Sequence, residues 1–291
     1  MAFEYRRSAS FRVGALEVVQ LSDGSFGRDA RNFFDGVDDA AWTRACGVSA
    51  PDEPVPWAYS GYLVRGDGHT TLVDTALGAR PCEPGILSCA EFPERLAESG
   101  VEAEEVDVLL HSHLHWDHVG WDVTRAGTVA YPNAEVHLSS AELDFWMTPH
   151  PDAPERHVRF ADEHFRPLLD AGQVRTFDGD AEVTPSITMI ATPGHTPGHT
   201  VQLIRSEGEA LIVVGDAMHH WTHVEHHDWL SIHEWDPRQS SEARRRICEL
   251  AIETDALVTG PHFPLLTVGK VRRRGSGYRY ERLDPPSARL L

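Results

Sequence analysis

His113-Leu114-His115-Trp116-Asp117-His118 places three imidazoles and one carboxylate within six residues. Metal-capable groups crowded this closely have few uses other than holding metal. Just upstream, Val106-Asp107-Val108-Leu109-Leu110 is rich in β-branched and aliphatic residues and reads as a short buried strand. The histidines therefore follow the C-terminal end of a strand, where α/β sheets place their ligands. His113 and His115 are two apart, a spacing that a helix cannot aim at one ion. An extended or looped backbone points residues i and i+2 the same way. His113 and His115 can then share a metal while Asp117 and His118 turn toward a second position, and the spacing suggests two metals.

A catalytic zinc keeps one coordination position for water, so two metals need more ligands than these four. Three downstream candidates stand at expected strand ends, each after an apolar run and a glycine. They are His195 in Thr192-Pro193-Gly194-His195-Thr196-Pro197-Gly198-His199, Asp216 after Leu211-Ile212-Val213-Val214-Gly215, and His262 after Ala256-Leu257-Val258-Thr259-Gly260-Pro261. Gly194 and Gly198 read as permitting tight turns.

This ordered set resembles the metallo-β-lactamase superfamily, in which a His-x-His-x-Asp-His loop is followed by a His, a bridging Asp and a final His. The resemblance runs from Tyr59 to His262 and includes an opening hairpin, Ser60-Gly61-Tyr62-Leu63-Val64 with Thr71-Leu72-Val73-Asp74-Thr75. Carried over by position, it implies that His113, His115 and His195 hold one metal, that Asp117, His118 and His262 hold the other, and that Asp216 bridges both. It also implies an α/β fold: an αββα four-layer sandwich of two mixed β-sheets with helices on the outer faces.

The chain has 291 residues and 41% hydrophobic composition, enough for one large core, and a single domain spanning 1–291 is expected. The formal charge of −19 argues against nucleic-acid partners, whose phosphates call for Lys and Arg. Cys46, Cys82, Cys89 and Cys248 form no Cys-x-x-Cys pair and no disulfide framework, so reduced thiols and a cytoplasmic location are expected. The sequence shows neither a secretory apolar segment at the N-terminus nor an 18-residue apolar run elsewhere, so no membrane association is expected.

Along the chain, an early strand, Leu16 to Leu21, precedes a stretch at 23–57 rich in Asp, Gly and Pro with Phe33, Phe34, Trp42 and Trp57 interspersed, read as an ordered flap near the site. A helix is expected around Phe92–Ser99, ending at Gly100. Another begins at Ser139-Ser140-Ala141-Glu142, where Ser139 and Glu142 fit a capping box, and its Leu143, Phe145, Trp146 and Met147 read as core. Residues 148–171 read as an insertion between the halves, with a helix over Glu155–Ala171. Strands near 173–177, 187–191, 200–205 and 210–214 are assigned to the second sheet, followed by a helix over Ser241–Glu253 and a strand over Ala256–Thr259.

The resemblance implies a dinuclear zinc site, with Fe or Mn as other metals, whose bridging hydroxide attacks a carbonyl or phosphoryl group, Asp117 orienting it. Asp216 stands where antibiotic-cleaving members commonly have cysteine, and residues 263–291 leave little room for a helical glutathione-binding domain. The branch resembling quorum-quenching lactonases and methyl-parathion-hydrolase-like enzymes is closest, on Tyr131-Pro132-Asn133-Ala134-Glu135-Val136, Ala141-Glu142-Leu143-Asp144-Phe145-Trp146 and Gly215-Asp216-Ala217-Met218-His219-His220. Its lactonases carry a tyrosine three positions after the bridging aspartate; this chain has His219, for which a proton-supplying or oxyanion role and a purely orienting role both stand.

The expected activity is hydrolysis of lactones or carboxylic and aryl esters, with phosphotriesters as side substrates. A mononuclear iron persulfide dioxygenase and a zinc-dependent polyketide cyclase or thioesterase are the rivals. Trp116 and Trp121 flank the metal loop and suggest an apolar acyl or aryl small molecule, although packing explains them equally well. A homodimer is a further expectation. His220, His223, His226, His227 and His233, with Trp221, Trp229 and Trp235, form a histidine-rich tract; a third metal site is weighed there against a loop whose histidines bond to backbone or water, and the loop is preferred because the spacing is irregular. Isolated histidines such as His137 and His164 read as surface or satisfied core residues.

Overall fold

Residue alternation sorts the strands of this chain into layers. The computed structural model describes residues 8–26, 34–50, 52–53, 55, 57–79, 86–88, 90–265, 267–283 and 289–290. Cys82, Cys89 and parts of the 23–57 stretch lie outside the described residues. In chain order the elements are β1 (Ala9–Val13), β2 (Leu16–Phe26), β3 (Phe34–Asp35), α1 (Asp39–Cys46), β4 (Trp57–Arg65), β5 (Thr70–Val73), β6 (Ile86–Ser88), α2 (Phe92–Glu98), β7 (Val108–Leu110), β8 (Glu135–Ser139), α3 (Ser140–Met147), α4 (Glu155–Asp170) and β9 (Val174–Phe177). There follow β10 (Ala181–Thr184), β11 (Ile187–Ala191), β12 (Thr200–Ser206), β13 (Glu209–Val213), α5 (Thr222–Glu225), β14 (Leu230–Ser231), α6 (Pro237–Glu253), β15 (Leu257–Thr259), β16 (Val268–Arg274), β17 (Gly277–Leu283) and β18 (Arg289–Leu290).

The first sheet runs β18-β1-β2-β4-β5-β7-β8-β9 with β6 also on β2, and the second runs β10-β11-β12-β13-β15-β16-β17. Successive strand side chains point to opposite faces. Leu16 and Val18 of β2, Tyr62 and Val64 of β4, and Val108 and Leu110 of β7 meet Ile204, Leu211 and Val213 of the second sheet in one core between the sheets. Their neighbours Val19, Leu21, Leu63 and Leu109 face the other way, onto Phe92 and Leu96 of α2, Phe145 and Trp146 of α3, and Phe165 and Leu168 of α4. In the second sheet, Leu203 and Ile212 turn outward onto Ile247, Cys248 and Ala251 of α6. Helix, sheet, sheet, helix is the four-layer order expected.

The expected strand at 173–177 is β9, which pairs parallel with β8 at the edge of the first sheet and not in the second. The parallel crossover through α3 and α4 explains this, since a helix on one sheet face returns the chain to that sheet. The hairpin β16-β17 after His262 extends the second sheet and was not anticipated. Residues 148–171 contribute more than an appendage: Ala161, Phe165 and Leu168 of α4 are buried in the first sheet's outer core. The 23–57 stretch carries β3, which pairs with β14, and α1, N-capped by Asp38. Among the described residues, no helix is long and apolar enough to cross a membrane.

Both sheets aim strand ends at one edge. β5 and β7 are parallel in the first sheet, as are β13 and β15 in the second, and the chain leaves each of them into a turn at the same seam. Backbone bonds tie those turns together: Thr200 N donates to Ser112 O at 3.0 Å and Ala58 N to His262 O at 3.2 Å.

Candidate metal centre

The loop after β7, the turn before β12, the turn after β13 and the turn after β15 converge on one carboxylate. Asp216 Oδ1 lies 3.1 Å from His118 Nε2 and 3.0 Å from His262 Nε2. Its Oδ2 lies 3.3 Å from His195 Nε2 and 3.7 Å from His113 Nε2. His115 Nδ1 is 2.9 Å from His195 Nε2, and Asp117 Oδ2 is 3.6 Å from His262 Nε2. Two donor groups result, each with its ligand-capable atoms within 4.8 Å of one another: His113, His115, His195 and Asp216, and Asp117, His118 and His262. All seven are buried. The seven residues singled out from the sequence are thus brought together, with Asp216 within reach of histidines of both groups.

The other ring nitrogens are held from behind. His118 Nδ1 sits 2.9 Å from Asp74 Oδ2, His113 Nδ1 3.0 Å from Ser112 Oγ, and His262 Nδ1 2.9 Å from Ala58 O. Metal-binding imidazoles are held in this way, since the outer bond fixes ring orientation and tautomer. Asp74 in turn accepts from Ser112 N at 2.8 Å and Ser112 Oγ at 2.7 Å. Behind it, His111 is buried between Asp74 and Asp122, with Nε2 3.1 Å from Asp122 Oδ2.

Charge and protonation suit a cation. Burial, reinforced by neighbouring imidazoles, pushes His113 and His115 well below the usual histidine range, leaving neutral rings with a free lone pair. Burial alone would raise Asp216, but His262, His118 and His219 outweigh it and hold the group as a carboxylate. Burial likewise opposes a charge on His118, yet Asp216, Asp74 and Asp117 raise it well above the usual range. That position favours positive charge, which a divalent ion would supply in place of a proton. The buried Nε2 atoms of His113 and His118 and Oδ1 of Asp216 make no hydrogen bond among the described residues. Five imidazoles and two carboxylates with orphaned, converging atoms fit a pair of borderline divalent ions.

A cleft open to solvent reaches these residues, and its lining includes Trp57, Tyr59, Trp116, His157 and His233. The two tryptophans flanking the loop part company: Trp116 lines the cleft, whereas Trp121 is buried and donates through Nε1 to Asp23 at 3.0 Å. His219 faces the cleft with Nε2 3.2 Å from Asp216 Oδ2, stacked on Trp57 at 5.8 Å between ring centroids. Burial pushes His219 down to about 4, Asp216 opposing, so its ring is neutral near pH 7.

Glu142 makes no capping box, and Ser139 gives α3 no side-chain cap. Its buried carboxylate instead accepts from Leu114 N at 3.0 Å and Trp146 Nε1 at 2.6 Å through one oxygen, and from Thr196 Oγ1 at 2.6 Å and Gly198 N at 3.1 Å through the other. One side chain thus staples the 113–118 loop to the loop after His195. Gly198 permits this approach, since a Cβ there would come within 2.1 Å of Glu142 N. The capping reading failed because the interior supplied four donors, against the single backbone N–H that a capping box offers its glutamate.

In the tract after Asp216, His219 and His233 line the cleft and other histidines turn elsewhere. His220 Nδ1 is 2.9 Å from Thr222 Oγ1, His223 Nδ1 accepts from His219 N at 3.2 Å, and His226 stacks on Trp229 at 4.0 Å. His137 pairs with Glu135 at 3.0 Å and His164 stacks on Phe160. Missed from sequence were Asp74, His111, Glu142 in its true role, His157, Glu234 and Arg244. Asp74 alone carried a visible signal, a carboxylate closing an apolar strand as Asp216 does.

A two-sheet sandwich with a buried pair of donor groups sharing one aspartate defines a binuclear metal-binding protein. Residues 55–260 match the Metallo-beta-lactamase superfamily, and the chain belongs to it. An N-acyl homoserine lactonase of Bacillus cereus is 29% identical over 119 residues, 41% of each chain, and one of a Bacillus sp. is 31% identical over 121 residues, 41% of this chain and 42% of that one. The chain thus matches about two-fifths of the length of these relatives. Among solved structures, AidC, a dizinc quorum-quenching lactonase with a bound product, superposes with a TM-score of 0.83 at 23% identity, covering 98% of this chain and 99% of that one. The hydrolase AbOPH superposes at 0.82 with 21% identity, covering 95% and 97%. At such identities the two structures speak to the fold.

Proposed function

We propose that this chain is a dinuclear zinc hydrolase of lactones or carboxylic and aryl esters with an apolar acyl or aryl group, with phosphotriesters as side substrates. The observation that carries the reading is the Asp216 carboxylate, one oxygen facing His195 and His113 and the other facing His118 and His262, in the lining of an aromatic cleft. His113, His115 and His195 would hold one ion, Asp117, His118 and His262 the other, and Asp216 both. Bound there, the ions lower the pKa of water toward about 7 and polarise a carbonyl oxygen. The lactonase names of the relatives support the choice of substrate class. A complete second group favours two ions over the single iron of a dioxygenase.

The chain's own residues supply the rest. Trp57, Tyr59 and Trp116 seat an apolar group and keep water from it. His219, neutral and beside Asp216, offers a ring N–H to the carbonyl or leaving oxygen of a substrate in the cleft. Asp117, at the cleft surface, accepts a proton from the attacking water and orients it. Trp57, where the 23–57 stretch enters β4, and His157 of α4 both line the cleft. The test is a panel of acyl-homoserine lactones, aryl esters, thioesters and paraoxon, run on protein of measured metal content. Turnover of lactones or esters at about two zinc per chain is expected, and failure on every lactone and ester overturns the reading.

A further inference from the structure

The geometry points to Glu234 as the positioning residue for His195, held in place by Arg244, so that the histidine-rich segment after Asp216 is a working part of the metal centre. The inference rests on the proposed two-ion reading, in which His195 is a ligand.

His195 turns Nε2 toward Asp216, and its buried Nδ1 has Glu234 Oε2 at 3.4 Å. Three other imidazoles of the centre have their outer nitrogen held by Asp74, Ser112 or Ala58 O. Glu234 Oε2 stands in the corresponding place behind His195, at a longer 3.4 Å, and Nδ1 has no hydrogen-bond partner among the described residues; closing that gap to a bond would fix the ligand's tautomer and raise its basicity. The Glu234 side chain is almost wholly buried, and Ser240 Oγ donates to the same Oε2 at 2.7 Å.

The opposite oxygen, Oε1, pairs with Arg244 Nη2. Arg244 is fully buried and spends its remaining donors on backbone: Nε on Ala217 O at 2.7 Å, and Nη1 on His227 O at 3.2 Å and Trp229 O at 2.5 Å. One planar fork therefore gathers the residue after Asp216, the middle of the tract and the carboxylate behind His195. Two backbone bonds close the arrangement, Trp235 N to His195 O at 3.1 Å and Asp236 N to Gly194 O at 2.9 Å. Gly194 is needed for this fit: its φ is +151° and a Cβ would come within 2.3 Å of Ser240 N. A buried ion pair adds little stability over apolar residues of the same size. Placing one oxygen of the pair against a ligand gives it a use that stability does not.

The test measures zinc affinity by chelator competition in the wild type, Glu234→Gln and a control, Glu249→Gln, whose carboxylate pairs with Arg273 and Tyr278 away from the centre. The ring N–H proton signals of the zinc-loaded proteins are recorded alongside. Glu234→Gln is expected to bind the more weakly held zinc 10–100-fold less tightly and to move one downfield histidine N–H signal, while Glu249→Gln changes neither. Affinity within twofold of wild type and an unmoved signal overturn the proposal, because a purely structural Glu234 would lower melting temperature alone. If Glu234→Gln fails to fold, Glu234→Asp keeps the charge opposite Arg244 on a shorter stem, and unchanged affinity there overturns it equally. Wild-type protein that binds no zinc pair defeats the two-ion reading itself, a result distinct from an unaltered variant.

Discussion

Residues 113–118 and the tract at 219–233 are both crowded with histidine, yet only the first sends its rings to a common point. The 113–118 loop leaves β7 at the seam between the sheets, and Asp74, Ser112 and Glu142 hold it from behind. The tract begins at the same seam with His219 and then winds over α5 and β14, spending His220 on Thr222, His223 on backbone and His226 on Trp229. Histidine density is therefore a poor guide to a metal site. What separates the two stretches is placement at a strand end together with a fixed partner on the outer nitrogen of each ring.

The largest effect expected from breaking this contrast is at the shared carboxylate. Asp216→Ala removes the one group common to both donor sets, and bound zinc should fall from about two per chain to one or fewer. Hydrolysis of the best substrate should drop at least about 10³-fold in kcat/KM, roughly 4 kcal/mol of transition-state stabilisation. Metal analysis with steady-state kinetics checks both. Retention of two zinc would show that Asp216 is not what joins the groups.

Next in size is the staple behind the loop. Glu142→Ala leaves the buried donors of Leu114, Trp146, Thr196 and Gly198 without an acceptor. At about 1–3 kcal/mol for each unmet buried group, partly recovered by water, a loss of about 3–5 kcal/mol is expected, or roughly 10 °C in Tm for a chain of this size. Zinc affinity should fall with it, since the loops of His113, His115 and His195 lose their common anchor. Normal affinity in the destabilised variant would assign Glu142 to the fold alone.

How far the sequence could foretell this contrast depends on the range of the forces involved. The downstream donor candidates were legible because strand, glycine and ligand lie side by side in the chain, and the four layers were implied by the family resemblance that those residues carry. Glu142 was misread because its local context, three residues after Ser139, satisfies a helix-start pattern while its true partners lie at Leu114, Thr196 and Gly198. Glu234 and Arg244 gave no signal, because the pair lies ten positions apart across the start of α6, and only the packing of that helix buries it. The edge strand β9 went to the wrong sheet because a strand sequence records burial and not its neighbours.

A pH series separates the support behind the loop from the ligands themselves. Burial lowers the charge tendency of His111, but Asp122 and Asp74 outweigh it and raise the group to about 9. A folded-state value above the unfolded 6.5 means that the stabilisation is fully present below about pH 6.5 and is lost as pH rises through about 9. His111 should cost the metal-free protein up to about 1.4 kcal/mol per pH unit across that window, and His111→Gln should show a smaller slope, the raised His118 supplying part of what remains. Chemical denaturation at pH 6, 7.5 and 9 reads it. A slope shared by both proteins would place the titration elsewhere.

The smallest effect is the sharpest test of the contrast, because it asks the tract to do nothing for metal. His226 is half-buried and lies parallel to Trp229, with ring centroids 4.0 Å apart and planes 8° from parallel, and Trp229 in turn packs on Trp42 at 6.0 Å. Truncating one ring of such a stack costs about 0.5–1.5 kcal/mol, so His226→Ala should lower stability by that amount and leave zinc stoichiometry and affinity unchanged. The contribution of this part of the chain to the centre then runs through Glu234, just past the tract, and Arg244 of α6, whose charges meet buried partners, and not through the stacked His226. If His226→Ala releases zinc, the tract binds metal with its imidazoles, and the difference between the two stretches is one of degree.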